Sequence, residues 1–310
     1  MTLSNPSDAL RIYDVASRQE WLATGLSAKQ FRTLEAAGAL IRMRHGAYAT
    51  SQATDRAEQP ADKHTLLATA AVVSLSNDHV ISHQSAAIIH HLDLLNQPGV
   101  VTLTRETGPG VKNQKRKGLT VRTAPVPDRH TTPIGRARVT TPTRTVADLA
   151  RSLPFMDAIV VVDSALHKHK TSKQKMRDML AEARWPGKNA AERVIDFSDG
   201  LAESVLESCA RVVFQQADLP APQLQVEFLD HATLSIARVD FYWPEYKTAA
   251  ESDGLMKYES PDVMRHQFNR DRMLHDLGCK VVHFTWRELF ETPAVVIARI
   301  RKAFAAPSPW

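Results

Sequence analysis

Residues 238–254 read RVDFYWPEYKTAAESDG, and this stretch decides the fold expected for the C-terminal part of the chain. It carries Asp240 in one apolar run and Glu251 and Asp253 in the next, and both runs predict strands. Residues two apart on a strand share a face, so Glu251 and Asp253 are expected to point the same way while Ser252 faces away. Carboxylates on neighbouring strands suit Mg²⁺, which prefers a few carboxylate oxygens together with water and phosphate. Acids that precede a glycine are also typical of a turn, and the spacing alone leaves that alternative open.

The flanking sequence predicts helices and a further strand around these two runs. The apolar residues of Leu201–Phe214 recur at a helical period, so Glu207 is expected on a helix that packs against the sheet. Beyond the acidic run we expect a helix over Pro261–Leu277 and a strand over Lys280–Thr285, and Trp286 opens a last helix. The predicted order is therefore helix, three strands, helix, strand, helix.

This C-terminal part resembles a known nuclease family. The residues that carry the resemblance are Ser204-Val-Leu-Glu207, Arg238-Val-Asp240, Glu251-Ser-Asp-Gly254, Lys257-Tyr258, Arg270-Asp-Arg272 and Phe284-Thr-Trp286. Together they resemble the very-short-patch-repair-like branch of the PD-(D/E)XK nuclease superfamily, a mixed sheet flanked by helices. The resemblance implies a Mg²⁺- or Mn²⁺-dependent DNA endonuclease with Asp240 and Glu251 as the principal metal ligands. It implies a catalytic cluster of Glu207, Asp240, Glu251 and Asp253.

One position departs from the family pattern, because Asp253 stands where the superfamily has its motif lysine. That lysine orients water or stabilises charge on the phosphorus, and Lys257 or Lys247 is left as the candidate to replace it. Arg270 and Arg272 on the following helix are candidates to hold a phosphate of the DNA. A solvated basic helix face is the alternative for these two arginines.

The N-terminal segment Trp21–Ala49 predicts a second functional module. Ser27 is placed to cap a helix with one apolar face, and a hairpin is expected around His45-Gly46. Two helices followed by a hairpin are typical of a winged helix-turn-helix, whose second helix enters the major groove while the wing contacts the backbone. The candidate DNA contacts are Lys29, Gln30, Arg32 and Thr33 on the helix and Arg42, Arg44 and His45 on the wing. Winged helices also serve as protein–protein modules, so the pattern leaves that role open.

A second resemblance covers the N-terminal and middle parts of the chain. The residues that carry it are Gly25-Leu-Ser27, the hairpin Gly38–Ala49, Ser82-His-Gln-Ser-Ala-Ala87 and Thr140-Thr-Pro-Thr-Arg-Thr-Val-Ala-Asp-Leu-Ala150. They resemble the AbiEi antitoxin family of type IV toxin–antitoxin systems. The resemblance implies a DNA-binding repressor of its own operon, with a nucleotidyltransferase-like toxin as the partner at the operon level, or a stand-alone nuclease of the same architecture.

The length of the chain, its net charge and the positions of its polar stretches predict an α+β multidomain protein. The 310 residues exceed one typical domain, and we expect a winged-helix domain at 1–60, a mixed α/β domain at 61–198 and the nuclease-like domain at 199–310, with a polar linker over 50–62. The net charge of +5 favours an acidic partner. From Arg105 to Arg151 there are eleven basic residues against three acidic ones, which predicts either contacts with nucleic acid or a solvated loop.

The remaining features exclude several classes of protein. Cys209 and Cys279 have no metal-ligand spacing, so we expect two buried thiols and a reducing, cytoplasmic location. The chain has no apolar run of membrane-spanning length, no phosphate-loop motif and no nucleophile elbow. A homodimer is compatible with the sequence. Two functions remain: a metal-dependent nuclease, which the retention of all four carboxylates favours, or a regulator that uses the same domain without catalysis.

Overall fold

The computed structural model describes residues 14–75, 79–106, 112–182, 184–230, 235–253 and 261–307. Helices alternate with sheets that mix parallel and antiparallel strands, so the protein is an α+β multidomain protein, as expected. Its described residues divide into two compact units. Unit 1 lies within Met1–Leu153 and Lys170–Asp196, and unit 2 lies within Pro154–His169 and Phe197–Trp310.

The N-terminal segment of unit 1 combines a small sheet with two short helices. Its elements are β1 (Val15–Ser17), α1 (Arg18–Ala23), α2 (Ala28–Ala36), β2 (Leu40–Arg44) and β3 (Ala47–Thr50). The three strands are antiparallel in the order β1-β3-β2. The Ser27 hydroxyl accepts the Gln30 N–H at 3.2 Å, and the Gln30 side chain accepts the Ser27 N–H at 2.8 Å, which forms the capping box of α2. The predicted helices and hairpin are therefore observed, and β1 is an additional strand.

Residues 50–62 are mostly helical, so the prediction of a polar linker was wrong. They contain α3 (Ser51–Arg56) and the first residues of α4 (Pro60–Val73). Ala70 of α4 packs in a cluster with the small sheet, whereas Ala68 packs in the core of the larger sheet. Small side chains let the helix lie close to both sheets, and this packing joins the N-terminal segment and the middle region in one unit.

The rest of unit 1 is a six-stranded mixed sheet with helices. Its elements are β4 (His79–Ile81), α5 (His83–Ile89), β5 (Val101–Arg105), β6 (Gln114–Arg116), β7 (Leu119–Thr123), β8 (Thr131–Ile134), β9 (Ala137–Thr140), α6 (Pro142–Ser152), α8 (Lys173–Ala181) and α9 (Lys188–Phe197). The strand order is β6-β7-β5-β4-β9-β8, with β5–β7 and β4–β9 parallel. The β6–β7 hairpin therefore forms one edge of this sheet.

Unit 2 is built on a four-stranded sheet. Its elements are α7 (Phe155–His167), α10 (Val205–Gln216), β10 (Gln223–Asp230), β11 (Ser235–Trp243), β12 (Thr248–Asp253), α11 (Pro261–Asp276), β13 (Lys280–Thr285), α12 (Trp286–Glu291) and α13 (Pro293–Ala305). The strand order is β10-β11-β12-β13, and β12 and β13 are parallel because the α11 crossover connects them. The predicted order of helices and strands is observed from α10 to α12, and α13 is an additional helix.

The core of unit 2 is aromatic. Phe214 of α10 meets the rings of Phe241 and Phe284 edge to face, with centroids 5.2 and 5.9 Å apart. α7 belongs to this unit although it precedes the expected domain boundary, and Arg211 of α10 donates to its buried Asp163 at 2.7 Å. Cys209 and Cys279 are both buried and free, as expected, and burial raises the pKa of their thiols to about 12 and about 11. No described helix is long and apolar enough to cross a membrane.

The capping box of α2 should contribute measurably to unit 1. We expect Ser27→Ala to lower the free energy of unfolding by about 1 kcal/mol, because the Gln30 N–H loses its acceptor. Urea titration would measure this, and Ser27→Asp is the matched control, since a carboxylate restores the cap. Equal losses in both variants would contradict the assignment of the cap.

Candidate functional site

Glu207 is fixed at the start of α10 by the local sequence. Ser204 caps the helix by accepting the Glu207 N–H at 3.1 Å. Glu207 is 6% exposed, and its Oε2 accepts the Glu203 N–H at 2.9 Å and the Gln225 Nε2–H at 2.8 Å. Burial raises the pKa of Glu207, and the nearby charge of Asp240 raises it further, whereas these hydrogen bonds lower it. Glu207 and Asp240 are therefore electrostatic neighbours.

Asp240 is directed toward Ser252 rather than toward Glu251. Its Oδ2 accepts the Ser252 N–H at 2.9 Å and the Ser252 hydroxyl at 2.6 Å. The ladder between β11 and β12 ends at the pair Phe241 and Ala250. Beyond this pair, the Asp240 carboxylate accepts the Ser252 N–H in place of a backbone carbonyl. Ser252 alternates with the acids on either side of it along β12. Ser252 therefore points away from the side of β12 that carries Glu251, as expected. It nevertheless contacts Asp240 of β11, which was not expected.

Gln225 is a member of this site that the sequence did not single out. It lies on β10 between the residues that pair with Phe241 and Val239, and its φ of 52° puts it in the left-handed region. This local break in the strand accompanies the contact of its amide with Glu207. The Gln225 Oε1 is buried and has no hydrogen-bond partner among the described residues. We refer to Glu207, Gln225, Asp240 and Ser252 as the Glu207 group.

Glu251 is neutralised by an arginine. Its carboxylate is 1% exposed, and Arg270 of α11 donates to its Oε1 at 2.6 Å. Arg270 also donates to the backbone carbonyl of Arg238, and Arg238 in turn holds Glu203 through two hydrogen bonds of 2.9 and 2.8 Å. A buried carboxylate is costly without a charged partner, so this ion pair balances the charge of Glu251 inside the protein.

Asp253 lies on the same side of β12 as Glu251 and is paired with His283, which sequence reasoning also missed. His283 Nδ1 is 3.3 Å from Asp253 Oδ2, and its Nε2 is 2.9 Å from Asp271 Oδ2. Bonding to Asp253, and then to Asp271, raises the pKa of His283 to about 10, so the imidazole is a cation at neutral pH. The parallel register pairs His283 with Glu251 on the adjacent strand. We refer to Glu251, Asp253, Arg270, Asp271 and His283 as the Glu251 group.

The lysines proposed for the motif position are not assigned to either group. Lys257 lies outside the described residues. Lys247 precedes the first residue of β12, and a rise of ~3.3 Å per residue puts its Cα about 13 Å from that of Glu251. Arg272 is exposed on α11 and has no ion-pair partner among the described residues. Within the part of the chain that the structure describes, no three or more His, Cys, Asp or Glu side chains are arranged to hold a metal ion.

The N-terminal candidates share one exposed helix face and a hairpin. Lys29, Gln30, Arg32 and Thr33 of α2 are all exposed, whereas Phe31 between them is 1% exposed in the core. We refer to these four exposed residues as the α2 polar face. On the β2–β3 hairpin, Arg42 and His45 are exposed and their side chains meet at 3.0 Å. Arg44 is half-buried on the same hairpin.

The basic segment from Arg105 to Arg151 is partly neutralised within unit 1. Five of its eleven basic residues form ion pairs, namely Arg129 with Glu182, Arg136 with Glu20, Arg138 with Asp128, and both Arg144 and Arg151 with Asp148. Arg144 is 1% exposed and its guanidinium lies over the Trp185 ring at 4.6 Å. These five arginines therefore stabilise the fold of unit 1. Neither of the two roles predicted for the segment, contact with nucleic acid or a solvated loop, includes this one.

The raised pKa of His283 predicts how the stability of unit 2 depends on pH. A folded-state pKa of about 10, above the ordinary 6.5, means that the stabilisation is complete below about pH 6.5 and is lost as the pH rises toward 10. We expect His283→Gln to cost about 1–2 kcal/mol at pH 6 and close to nothing above pH 10, measured by urea titration.

His275→Gln is the matched control, because His275 is exposed on the same helix that carries Asp271. It should change stability by less than about 0.5 kcal/mol at either pH. A loss for His283→Gln that does not vary with pH would contradict the cationic bridge between Asp253 and Asp271.

Comparisons with known proteins identify relatives over most of the chain. No protein-family model matches the sequence. The chain is 30% identical over 266 residues to the uncharacterized protein Rv2248 of Mycobacterium tuberculosis (strain ATCC 25618 / H37Rv), which covers 86% of this chain and 92% of that protein. The uncharacterized protein MT2308 of M. tuberculosis (strain CDC 1551 / Oshkosh) matches with the same figures.

Among solved structures, the crystal structure of the RV2827C protein from M. tuberculosis has a TM-score of 0.39 and 14% identity, and the match covers 74% of this chain and 89% of that one. At 30% identity over 86% of its length, the chain belongs to the family that includes Rv2248 and MT2308 of M. tuberculosis.

Proposed function

We propose that this protein binds duplex DNA through a winged-helix module at its N-terminus and acts as a transcriptional regulator. The observation that carries the proposal is the division of α2 into a buried face, anchored by Phe31, and the α2 polar face. A recognition helix needs this arrangement, because its inner face must be held rigidly while its outer side chains enter the major groove. Lys29, Arg32 and the side-chain amide N–H groups of Gln30 can donate hydrogen bonds, and the two cations suit phosphates or guanine. The Thr33 hydroxyl, which donates to the Lys29 carbonyl, can accept one.

The β2–β3 hairpin supports the same role as the wing. Arg42 and His45 are exposed at its end, and Gly46 has a φ of 80°, which the tight turn between the strands requires. Wing residues contact the phosphate backbone, and cationic side chains supply the sequence-independent part of the affinity. Arg42, Arg44 and His45 are the wing contacts in this proposal.

We infer that unit 2 is a nuclease-like domain used without catalysis, in which Arg270 and His283 stand where a metal would be needed. Glu251 and Asp253 both have basic partners within unit 2. Asp240, the other proposed ligand, bonds to Ser252. An antitoxin-like repressor, with a nucleotidyltransferase-like toxin as the partner at the operon level and a homodimer on a palindromic operator, suits this arrangement.

A metal-dependent endonuclease is the second candidate, and the Glu207 group favours it. Glu207 and Asp240 are neighbouring carboxylates, and the Gln225 Oε1 is a buried oxygen without a hydrogen-bond partner among the described residues. Carboxylate and amide oxygens are ligands that Mg²⁺ accepts. In this alternative Asp240 and Glu251 would hold Mg²⁺ or Mn²⁺, the ion would supply Lewis-acid activation, and Glu207 or Asp253 would orient a water molecule. Arg270 would then have to release Glu251 and, with Arg272, bind the DNA phosphates.

The DNA-binding proposal predicts that charge on the α2 polar face sets affinity. We expect Lys29→Ala plus Arg32→Ala to weaken duplex binding at least about tenfold and to lower the slope of log affinity against log salt by about 2. Fluorescence anisotropy with a labelled promoter duplex would measure both quantities.

The control is Lys175→Ala plus Arg193→Ala, which removes the same charge from exposed positions of α8 and α9. This pair should leave the slope unchanged. Equal effects of the two double variants would mean that net charge, and not the α2 polar face, determines binding.

The choice between regulator and nuclease can be tested with metal. We expect wild-type protein with Mg²⁺ or Mn²⁺ to leave duplex and single-stranded DNA intact, because Arg270 and His283 occupy the proposed ligand carboxylates. Cleavage that Asp240→Ala abolishes and Glu245→Ala retains would instead establish the nuclease. Glu245 is an exposed acid of the same unit outside both groups, so it controls for the loss of one charge.

A further inference from the structure

A cationic cavity lies between the β2–β3 hairpin and the edge of the larger sheet. Its volume is about 370 Å³, and its polar lining comes from Arg44, His45, His64 and Lys117. None of the described residues that line it is a carboxylate. His64 is buried, its Nε2 lies 2.8 Å from the Ser85 hydroxyl, and burial lowers its pKa, so the imidazole is neutral. The permanent charge at the cavity therefore comes from Arg44 and Lys117.

Arg44 has no carboxylate partner among the described residues. Its Nε is buried and has no hydrogen-bond partner among the described residues. Burial lowers the pKa of Arg44, and the charge of Arg116 lowers it further, so two guanidinium groups repel each other here. A partly desolvated cation beside a like charge is stabilised by an anion that reaches both.

The β6–β7 hairpin contributes further cations beside the cavity, and these form no ion pair with the described residues. Five of the other basic residues of the middle segment form ion pairs, but Arg116 and Lys117 have no carboxylate partner among the described residues. Among the described residues, the Arg116 guanidinium donates to the neutral Gln114 side chain, at 3.1 Å. The charges at this edge of the sheet are therefore available to a ligand.

The rim of the cavity also fits the apolar part of a nucleotide. Leu67 and Val100 line the cavity and are 43% and 40% exposed, so apolar surface adjoins the cationic groups. A Cβ added to Gly99 or Gly118 would meet nothing within 4 Å, so the wall is open beside them. The volume exceeds that of a bare phosphate and leaves room for an adjoining sugar on the apolar rim.

We propose that this cavity binds a phosphate group, held by Arg44 and Lys117 with Arg116 behind them, and that the phosphate belongs to a nucleic-acid backbone. The inference rests on the proposed DNA-binding function and extends it, because it adds the β6–β7 hairpin to the surface formed by the α2 polar face and the wing. DNA that contacts both the α2 polar face and the cavity is bound at two points of unit 1. The contact with Lys117, which lies outside the wing, then fixes the register of the DNA on the winged-helix module.

Lys117 and Lys115 form a matched pair for testing this site. Both are exposed on the same hairpin, but only Lys117 lines the cavity. For a labelled duplex, we expect Lys117→Ala to weaken binding about threefold to tenfold and to lower the salt slope by about 1, whereas Lys115→Ala leaves the slope unchanged.

Inorganic phosphate provides the second arm of the experiment. Compared with chloride at equal ionic strength, phosphate should raise the thermal midpoint of the wild-type protein, because it binds the folded state only. The shift should persist in Lys115→Ala and disappear in Arg44→Gln plus Lys117→Ala. Far-ultraviolet circular dichroism checks that the double variant is folded.

The outcomes separate this inference from the function on which it rests. Duplex binding that depends on Lys29 and Arg32, with no difference between Lys117→Ala and Lys115→Ala in either arm, would overturn the phosphate site and leave the DNA-binding proposal standing. A phosphate shift that depends on Arg44 and Lys117, with no duplex binding by the wild type, would overturn the DNA-binding proposal and assign the cavity to a free phosphate-bearing ligand. A third outcome is a phosphate shift that depends on Arg44 and Lys117, with duplex affinity unaffected by Lys117→Ala. That result would leave the phosphate site standing and overturn only its assignment to a nucleic-acid backbone.

Discussion

The requirement that a buried carboxylate be neutralised governs the C-terminal unit. Glu251 and Asp253 are almost fully enclosed, and an isolated charge in such surroundings costs far more than a hydrogen bond can return. A metal ion or a basic side chain can meet that requirement, and here Arg270 and His283 do so. The same strand positions that would suit a cation site are thereby stable without one. The regulator and the nuclease proposals therefore differ at α11. The regulator keeps Arg270 on Glu251, whereas the nuclease requires Arg270 to move away from it.

The same rule organises the basic residues of unit 1. Asp148 is buried and draws two arginines to itself, and Arg144 also donates to the Pro125 carbonyl and lies against Trp185. An excess of positive charge along the sequence is therefore a poor guide to where a polyanion binds, because internal pairs remove much of it. Exposed cations that have no carboxylate partner among the described residues include Lys29 and Arg32 on α2, Arg42 on the β2–β3 hairpin and Lys117 on the β6–β7 hairpin. The proposed DNA surface follows these residual charges.

The helix α4 connects these features within unit 1. It packs its alanines against the small sheet and against the larger one, and Arg136 reaches from the larger sheet to the Val15 carbonyl at 2.8 Å. A DNA-reading module on a flexible linker would sample many orientations relative to the middle region. Packing through α4 instead gives the β2–β3 and β6–β7 hairpins a defined arrangement, which is what allows both to line one cavity.

The sequence by itself determined the local elements, because period and capping are properties of short segments. Ser27 and its helix, the hairpin around Gly46, the strand Lys280–Thr285 and the helix that carries Glu207 were all predictable on that basis. Short strands such as β1, β4 and β8, and the helix α9, were not, since their stability comes from partners distant in the chain. Only the tertiary structure decided the partners of the acids. Whether Asp240 meets Glu251 or Ser252, and whether Glu251 meets a metal or Arg270, depends on where β11 and β12 stop pairing and how α11 crosses the sheet, and no spacing along one segment contains that information.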